Sequence, residues 1–373
     1  MRSDCKSDQA QASQPIRQSR VMEGAGEKRK TKPIMMTTNV YLPCLRSNPR
    51  PPLPLFIPIP WGGVRGGSPL PFLLFLVVSS FFRAAPAVAQ STASVCFTGD
   101  ILLDRGVRAA IDSAGIDHLF DPQIDSLFRE ATAVVDNLEC PATRIHRPMQ
   151  KYFIFRAEPE WLHDLRRHGF THLNMANNHT VDQGRMALRD TWLNVKAAGL
   201  VPVGADSTMA AAAEPVLLCH EPRPVYLFAS LRVPLENFAY LPDRFSPSQE
   251  PMDSLCARVE RLRRQQPDAV IIVSLHWGLE HKLRPHAQQV VEAHRLIDAG
   301  ASALICHHSH TFQTVGHYKG RPVYYSLGNY IFDPTRPINR RAAIVKMTVG
   351  ETDLHFDTIP VYIEPCTPRI APE

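Results

Sequence analysis

Asp100 closes the triplet Thr98-Gly99-Asp100, and polar clusters recur after it: Asn137-Leu138-Glu139, Asn177-Asn178-His179, His276-Trp277-Gly278, His307-His308-Ser309-His310 and Gly328-Asn329. Carboxylates, an amide and imidazoles together suit divalent ions of borderline softness such as Mn²⁺, Fe²⁺ or Zn²⁺. Two such ions bridged by one carboxylate activate a water and clamp a phosphoryl oxygen. Each cluster alone has a plainer reading. An Asp after a strand is usually a cap or turn residue. Asn-Asn makes turns, and a lone His-x-His is commonly a surface feature. Repeated placement is what argues for chemistry.

Each cluster follows an apolar run that reads as a strand: residues 95–98, 133–135, 172–176, 269–275, 303–306 and 323–326. A further run, 225–229, carries no cluster. Helical patterns lie between them. Asp121-Pro122 is an N-cap with Pro at the first helical position, followed by Ile124, Leu127 and Phe128 as its apolar face. Pro159 opens another helix, with Trp161, Leu162 and Leu165 inward and Gly169 at its end. Leu188, Trp192 and Val195 mark a third that stops at Gly199, and 287–299 a fourth that stops at Gly300. The Pro-rich stretch 232–251 reads as a long loop over the site or an insertion. This alternation is α/β layering. In open α/β sheets, ligands bind at the carboxyl edge of the strands, where all the clusters would converge. His163, His168, His172, His294 and His355 lie off that edge and read as structural or exposed.

The charge is uneven along the 373 residues. Residues 1–89 hold 12 Lys/Arg and 4 Asp/Glu, whereas the rest hold 29 and 32. The basic character therefore belongs to the N-terminal segment, and the remainder makes no electrostatic case for nucleic acid as a partner. All 16 histidines follow residue 90. Residues 1–68, rich in Pro, Ser, Arg and Gly, are expected to be disordered. The apolar run 70–82 is too short to span a bilayer comfortably but suits a signal peptide, with Arg65 as basic flank and Ala87-Val88-Ala89 as cleavage pattern. The alternative is a short anchor that stays uncut. Because the run begins so far along the chain, Met36 or Val64 is expected as the true start, which would leave the leader untranslated. The expected organisation is a leader over 1–68, a signal segment or anchor over 69–89, and one exported domain over 90–373, periplasmic or on the cell surface. No cysteine stands in a CxxC pair, and Cys96 and Cys306 read as buried free thiols.

The segments FTGDILLDRGV, DNLECPAT, MANNHTVDQGRMALRDTW, VSLHWGLEHKLRPHAQQ, HHSHTFQTV and YYSLGNYIFD cover nearly all of 94–335. In that order they resemble the successive motifs of the CapA family of poly-γ-glutamate and capsule synthesis proteins. The resemblance implies a calcineurin-like metallophosphoesterase fold, an α/β sandwich of two β-sheets flanked by helices. Carried over by motif, Asp100 is a metal ligand from the first strand and Glu139 a bridging carboxylate with Asn137 beside it. Asn178 ligates the second metal, and His179 gives a proton to the leaving group. His276, His308 and His310 complete the shell around one or two divalent transition ions, Mn, Fe or Zn. Glu280 and Asn329 match accessory positions near the site. Two departures stand out. Leu102 occupies the second position of the wider superfamily's Asp-x-His, so one ligand is missing. Residues 306–310 read Cys-His-His-Ser-His where the family usually has Gly-x-His-Pro-His, which keeps both histidines in a different turn.

The resemblance implies work on an anionic surface polymer such as poly-γ-glutamate, with that polymer or a phosphoester as substrate and a membrane synthesis complex as partner. Two readings stay open. One is a metal-dependent hydrolase outside the cytoplasm, which the full donor set favours. The other is a non-catalytic subunit of a polymer synthesis or export complex, which the missing first-motif histidine favours. A glycosidase built on Asp100 and Glu139 leaves the histidines unexplained, and the chain has no G-x-S-x-G motif.

Overall fold

The computed structural model describes residues 92–371. The leader, the signal segment and the start site lie outside the described residues. The chain runs β1 (Ala93–Ile101), α1 (Arg105–Ala114), α2 (Pro122–Glu130), β2 (Ala133–Leu138), α3 (Trp161–Arg167), β3 (His172–Asn174), α4 (Gly184–Ala197) and β4 (Val201–Val203). Then come β5 (Ala205–Asp206), α5 (Met209–Ala212), β6 (Val216–Cys219), β7 (Val225–Leu231), β8 (Ser246–Pro247), α6 (Met252–Gln265), β9 (Val270–His276) and α7 (Ala287–Asp298). It closes with β10 (Ala303–Ile305), β11 (Val315–Tyr318), β12 (Arg321–Tyr324), β13 (Arg341–Val349), β14 (Leu354–Glu364) and β15 (Thr367–Ile370).

The strands sort into two main sheets, ordered β15-β14-β13-β1-β2-β3-β4 and β11-β12-β10-β9-β7-β6, with β5 and β8 as a small pair. The run β1-β2-β3-β4 is parallel, as is β7-β9-β10-β12. Alternation decides what each face packs on. In β7 and β9, Leu227, Ala229, Val270 and Ile272 join the core shared with the first sheet. Phe228, Ile271, Val273 and Leu275 point the other way, onto Leu255 and Val259 of α6 and Leu296 of α7. The layout is the expected sandwich of two sheets flanked by helices.

Local chemistry explains the helix ends. Asp121 accepts from the N–H groups of Gln123 and Ile124, with Pro122 at the first position. Ile124 and Phe128 are buried, each contributing about 2 kcal/mol. The His286 side chain caps α7, and Gln289 bonds back to its N–H. The stretch 232–251 is a long loop broken only by β8, which pairs with β5.

The two sheets are tied together where the site lies. The β1–β2 register shifts between Phe97 and Asp100. There the Asp100 N–H donates to the Gly328 carbonyl at 3.0 Å, and the Tyr330 N–H donates to the Asp100 carbonyl at 2.8 Å. Residues 328–330 follow β12 of the second sheet. A Cβ at Gly99 would lie 2.2 Å from the Gly328 oxygen, so only glycine permits this approach. His307 makes a second tie, donating from Nε2 to the Thr98 carbonyl at 2.9 Å.

Gly99→Ala is therefore expected to cost about 3 kcal/mol, the upper range for forcing a methyl into a packed interior. Urea unfolding would measure it, and an unchanged midpoint would show that the approach is not obligatory.

Candidate metal centre

Asp100 lies late in β1, and Glu139 directly follows β2. Asn178 comes shortly after β3, and His276 ends β9. His308 and His310 follow β10, and Asn329 follows β12. These strand ends converge. Donor atoms of Glu139, His276 and His308 lie within 4.8 Å of one another, as do those of Asp100, Glu139 and His310. Glu139 belongs to both groups, the position expected of a bridging carboxylate. Its Oε1 is 3.5 Å from His276 Nε2 and 3.8 Å from His310 Nε2. Asn178 Oδ1 and His308 Nδ1 lie 2.7 Å and 3.1 Å from that same His276 nitrogen. All six residues expected to hold metal are thus brought together.

Both Glu139 oxygens and Asp100 Oδ2 are buried with no hydrogen-bond partner among the described residues. Leaving ionised oxygens this way costs several kcal/mol unless positive charge sits beside them. The donor set of carboxylates, imidazoles and an amide oxygen fits a divalent cation. Leu102 is fully buried and its N–H donates to the Ile331 carbonyl at 2.9 Å, so it serves the core. The group of Asp100, Glu139 and His310 accordingly has three side-chain donors.

Supporting contacts aim these donors. The His310 Nδ1–H donates to Asn329 Oδ1 at 2.9 Å, which leaves Nε2 toward Glu139. Asn137 Nδ2 donates to Asp100 Oδ1 at 2.8 Å, and its own Oδ1 accepts from Asn177 Nδ2 at 3.2 Å. Asn137 and Asn329 thus orient their neighbours. His308 and His310 have φ of 97° and 54°, a costly backbone state for residues with side chains. Ser309, standing where the family has Pro, holds this turn through hydrogen bonds with Thr311.

Burial raises Glu139, and the charge of Asp100 raises it further, to well above the usual carboxylate range. Burial acts the same way on Asp100, but His310, His307 and Asn137 outweigh it and hold that carboxyl low. Burial opposes charge on His310, yet Glu139 and Asp100 carry it up to about 10. His276 is pushed well down by burial and then by His308 and His307. Burial, with His310 adding to it, brings His308 to about 4. His276 and His308 therefore keep free lone pairs, and the pull of Glu139 and Asp100 on a His310 proton marks where positive charge is favoured.

His179 sits beside this cluster. Its Nδ1 pairs with Asp182 Oδ2 at 2.8 Å, and its ring lies 4.3 Å from that of Phe155. Lys151 Nζ binds Asp182 Oδ1 at 2.6 Å and the Asn178 carbonyl at 2.9 Å. This ion pair is buried, with Lys151 2% and Asp182 0% exposed. A cavity of about 290 Å³ opens over His179, His310 and Asn329, with Glu280 and Phe153 in its wall. Glu280 is half-exposed and belongs to neither donor group. Sequence reading named Asn177 in its cluster but gave it no role, and it missed Lys151 and Asp182; the position of Asp182 three residues after His179 was the one available signal. Of the set-aside histidines, His168 stacks on Phe120, His294 stacks on Tyr318, His172 is buried, and His163 and His355 are exposed. The six described cysteines are free, with Cys96 and Cys306 buried.

A two-sheet α/β domain with a buried N/O donor set along its strand edge defines a class, and comparison with known proteins names the family. The chain belongs to the family described as bacterial capsule synthesis protein PGA_cap, whose model matches residues 94–334. It is 25% identical over 306 residues to the PGA biosynthesis protein CapA of Bacillus subtilis (strain 168), covering 79% of this chain and 80% of that protein. A probable polyglutamine synthesis accessory protein of Mycobacterium tuberculosis (strain ATCC 25618 / H37Rv) is 34% identical over 171 residues, covering 43% of this chain and 44% of that one. Among solved structures, the NAD nucleotidase of Haemophilus influenzae aligns with a TM-score of 0.47 at 11% identity, over 73% of this chain and 50% of that one.

Adding Mn²⁺ or Zn²⁺ to metal-free protein is expected to raise its melting temperature. At a hundredfold excess over Kd the gain is about 2.7 kcal/mol, or about 5 to 10 °C for a domain of this size. Glu139→Gln should melt no lower than wild type without metal and lose the metal-dependent gain. A variant that keeps the gain would show that Glu139 holds no ion.

Proposed function

We propose that this chain is a metal-dependent hydrolase of phosphoester or related bonds, acting outside the cytoplasm in the synthesis of a capsule or poly-γ-glutamate-like polymer. The family and the names of its relatives support the polymer context. The hydrolase reading rests on one observation above the rest. Glu139, buried and unpartnered, is shared by two donor groups, and one of their members, His310, lines a cavity together with His179.

Asp100, Glu139 and His310 would hold one ion, and Glu139, Asn178, His276 and His308 a second. Bound divalent ions supply positive charge that stabilises a phosphoryl oxygen and acidifies water. The protein's own groups do the rest. Asp182 takes the Nδ1–H of His179, which fixes the tautomer and leaves Nε2 as the atom that exchanges a proton with the leaving group. Burial lowers the His179 pKa and Asp182 opposes it, so Asp182 favours the protonated form that a donor needs. Phe155 packs on the imidazole and limits its rotation. Lys151 anchors Asp182 and, through the Asn178 carbonyl, ties the proton-transfer residue to a proposed ligand.

The second reading, a non-catalytic subunit of a synthesis or export complex, is favoured by Leu102, which replaces one donor with core packing. The same experiment separates the two. In metal-loaded protein assayed on phosphoester and γ-glutamyl substrates, His179→Ala should lower kcat about 10²- to 10⁴-fold, the usual range for a general acid or base, with bound metal unchanged. Asp182→Asn should fall between that variant and wild type. Metal-loaded wild type without turnover on either class would favour the non-catalytic role.

A further inference from the structure

Two parts of the recognised motifs are not used by the metal centre: Arg105-Gly106 in the first and Phe332-Asp333 in the last. They meet in the fold. Asp333 Oδ1 accepts from Arg105 Nε at 3.2 Å and also from Nη2, and Asp333 Oδ2 accepts from the Gly106 N–H at 3.0 Å. A Cβ at Gly106 would lie 2.8 Å from Asp333 Cβ, so glycine is what admits the carboxylate. Arg105 has a φ of 53°, an unfavourable state for a residue with a side chain and one that concentrates at functional sites.

The guanidinium is also fixed from the sides. Its carbon lies 5.3 Å from the ring centroid of Phe155 and 5.3 Å from that of Phe332. Each ring in turn contacts a site histidine, Phe155 with His179 at 4.3 Å and Phe332 with His310 at 4.9 Å. An arc of side chains thus runs from the proposed proton donor to the donor set, with a cation at its middle. All five of these residues line the cavity. Asp333 takes up Nε and Nη2, while Nη1 has no hydrogen-bond partner among the described residues. The other charged groups of the lining are Arg336, Glu280 and, when protonated, His281.

We infer that Arg105 is a substrate-recognition residue: its free Nη1 edge takes an oxyanion of the substrate, phosphate or carboxylate, beside the bond that His179 serves. The inference rests on the hydrolase reading above. A planar guanidinium suits the task because it offers directed donors to oxyanions and stays charged. Asp333 and the two rings hold it in place before substrate arrives, so less freedom is lost on binding.

The test titrates the full chain by calorimetry, supplied with Mn²⁺, using inorganic phosphate and, separately, γ-glutamylglutamate. Arg105→Met keeps an apolar stem between the rings and removes the charge, and Arg105→Lys keeps the charge without the fork. Arg105→Met should bind at least one probe about tenfold more weakly or worse, as expected for a lost charge-assisted hydrogen bond, and Arg105→Lys should recover part of the loss. The probe that is weakened identifies the oxyanion. Equal affinities in wild type and Arg105→Met, or no binding of either probe by wild type, would overturn the inference. A lower melting temperature with unchanged affinity would do the same and make the clasp purely structural. Failure of the hydrolase reading has a different signature: wild type and Arg105→Met would both lack Mn²⁺ or turnover, while the difference in probe affinity persists.

Discussion

Asp100 and Glu139 are carboxylates with no solvent exposure, and three of their four oxygens lack a hydrogen-bond partner among the described residues. A fold selected for stability alone would neutralise or pair such groups, because an uncompensated buried charge costs several kcal/mol. Here the surrounding structure keeps them together. Burial and the charge of Asp100 drive Glu139 toward its neutral form, and both carboxylates raise the His310 pKa, so protons are drawn to the place where a bound ion would displace them. The cluster is therefore poised for added positive charge, and its remaining donors, His276, His308 and Asn178, are positioned to share in binding it.

Holding six donors from five strand ends in register requires the two sheets to be fixed to each other. Gly99 and Gly328 allow backbone to approach backbone, and His307 spans the gap to Thr98. The left-handed turn at His308 and His310 adds strain at the same place, and the core of both sheets offsets it. Lys151 extends the network through Asp182 to His179. A single connected set of contacts thus joins Asn178, Asp182 and His179, and any of them moved by an ångström would disturb the others.

The central strands were legible because parallel strands covered on both faces read as apolar runs. In 269–275, Ile271 and Val273 meet the helices while Ile272 meets the other sheet, so the run stays apolar as far as Val273 and only Ser274 interrupts it. The strands β13 to β15 were not read. Most of β14 is exposed or half-buried and mixes His355, Asp357 and Thr358 with apolar residues, which blurs its period. The helix α6 was hidden by its arginines, although Leu255, Val259 and Leu262 keep helical spacing. The polar clusters were legible from their strand-end positions, and the family resemblance implied which of their residues would hold an ion. The roles of Asn177, Lys151, Asp182 and the Arg105–Asp333 clasp were not legible, because each gains its role from a partner that only tertiary folding supplies.

The most direct test of this account is an anomalous-difference map from crystals of the chain grown with Mn²⁺. The account predicts a peak within coordination distance of Glu139, and a second on its other side if both donor groups fill. A map without a peak there, with the Glu139 oxygens hydrogen-bonded to protein groups instead, would contradict it.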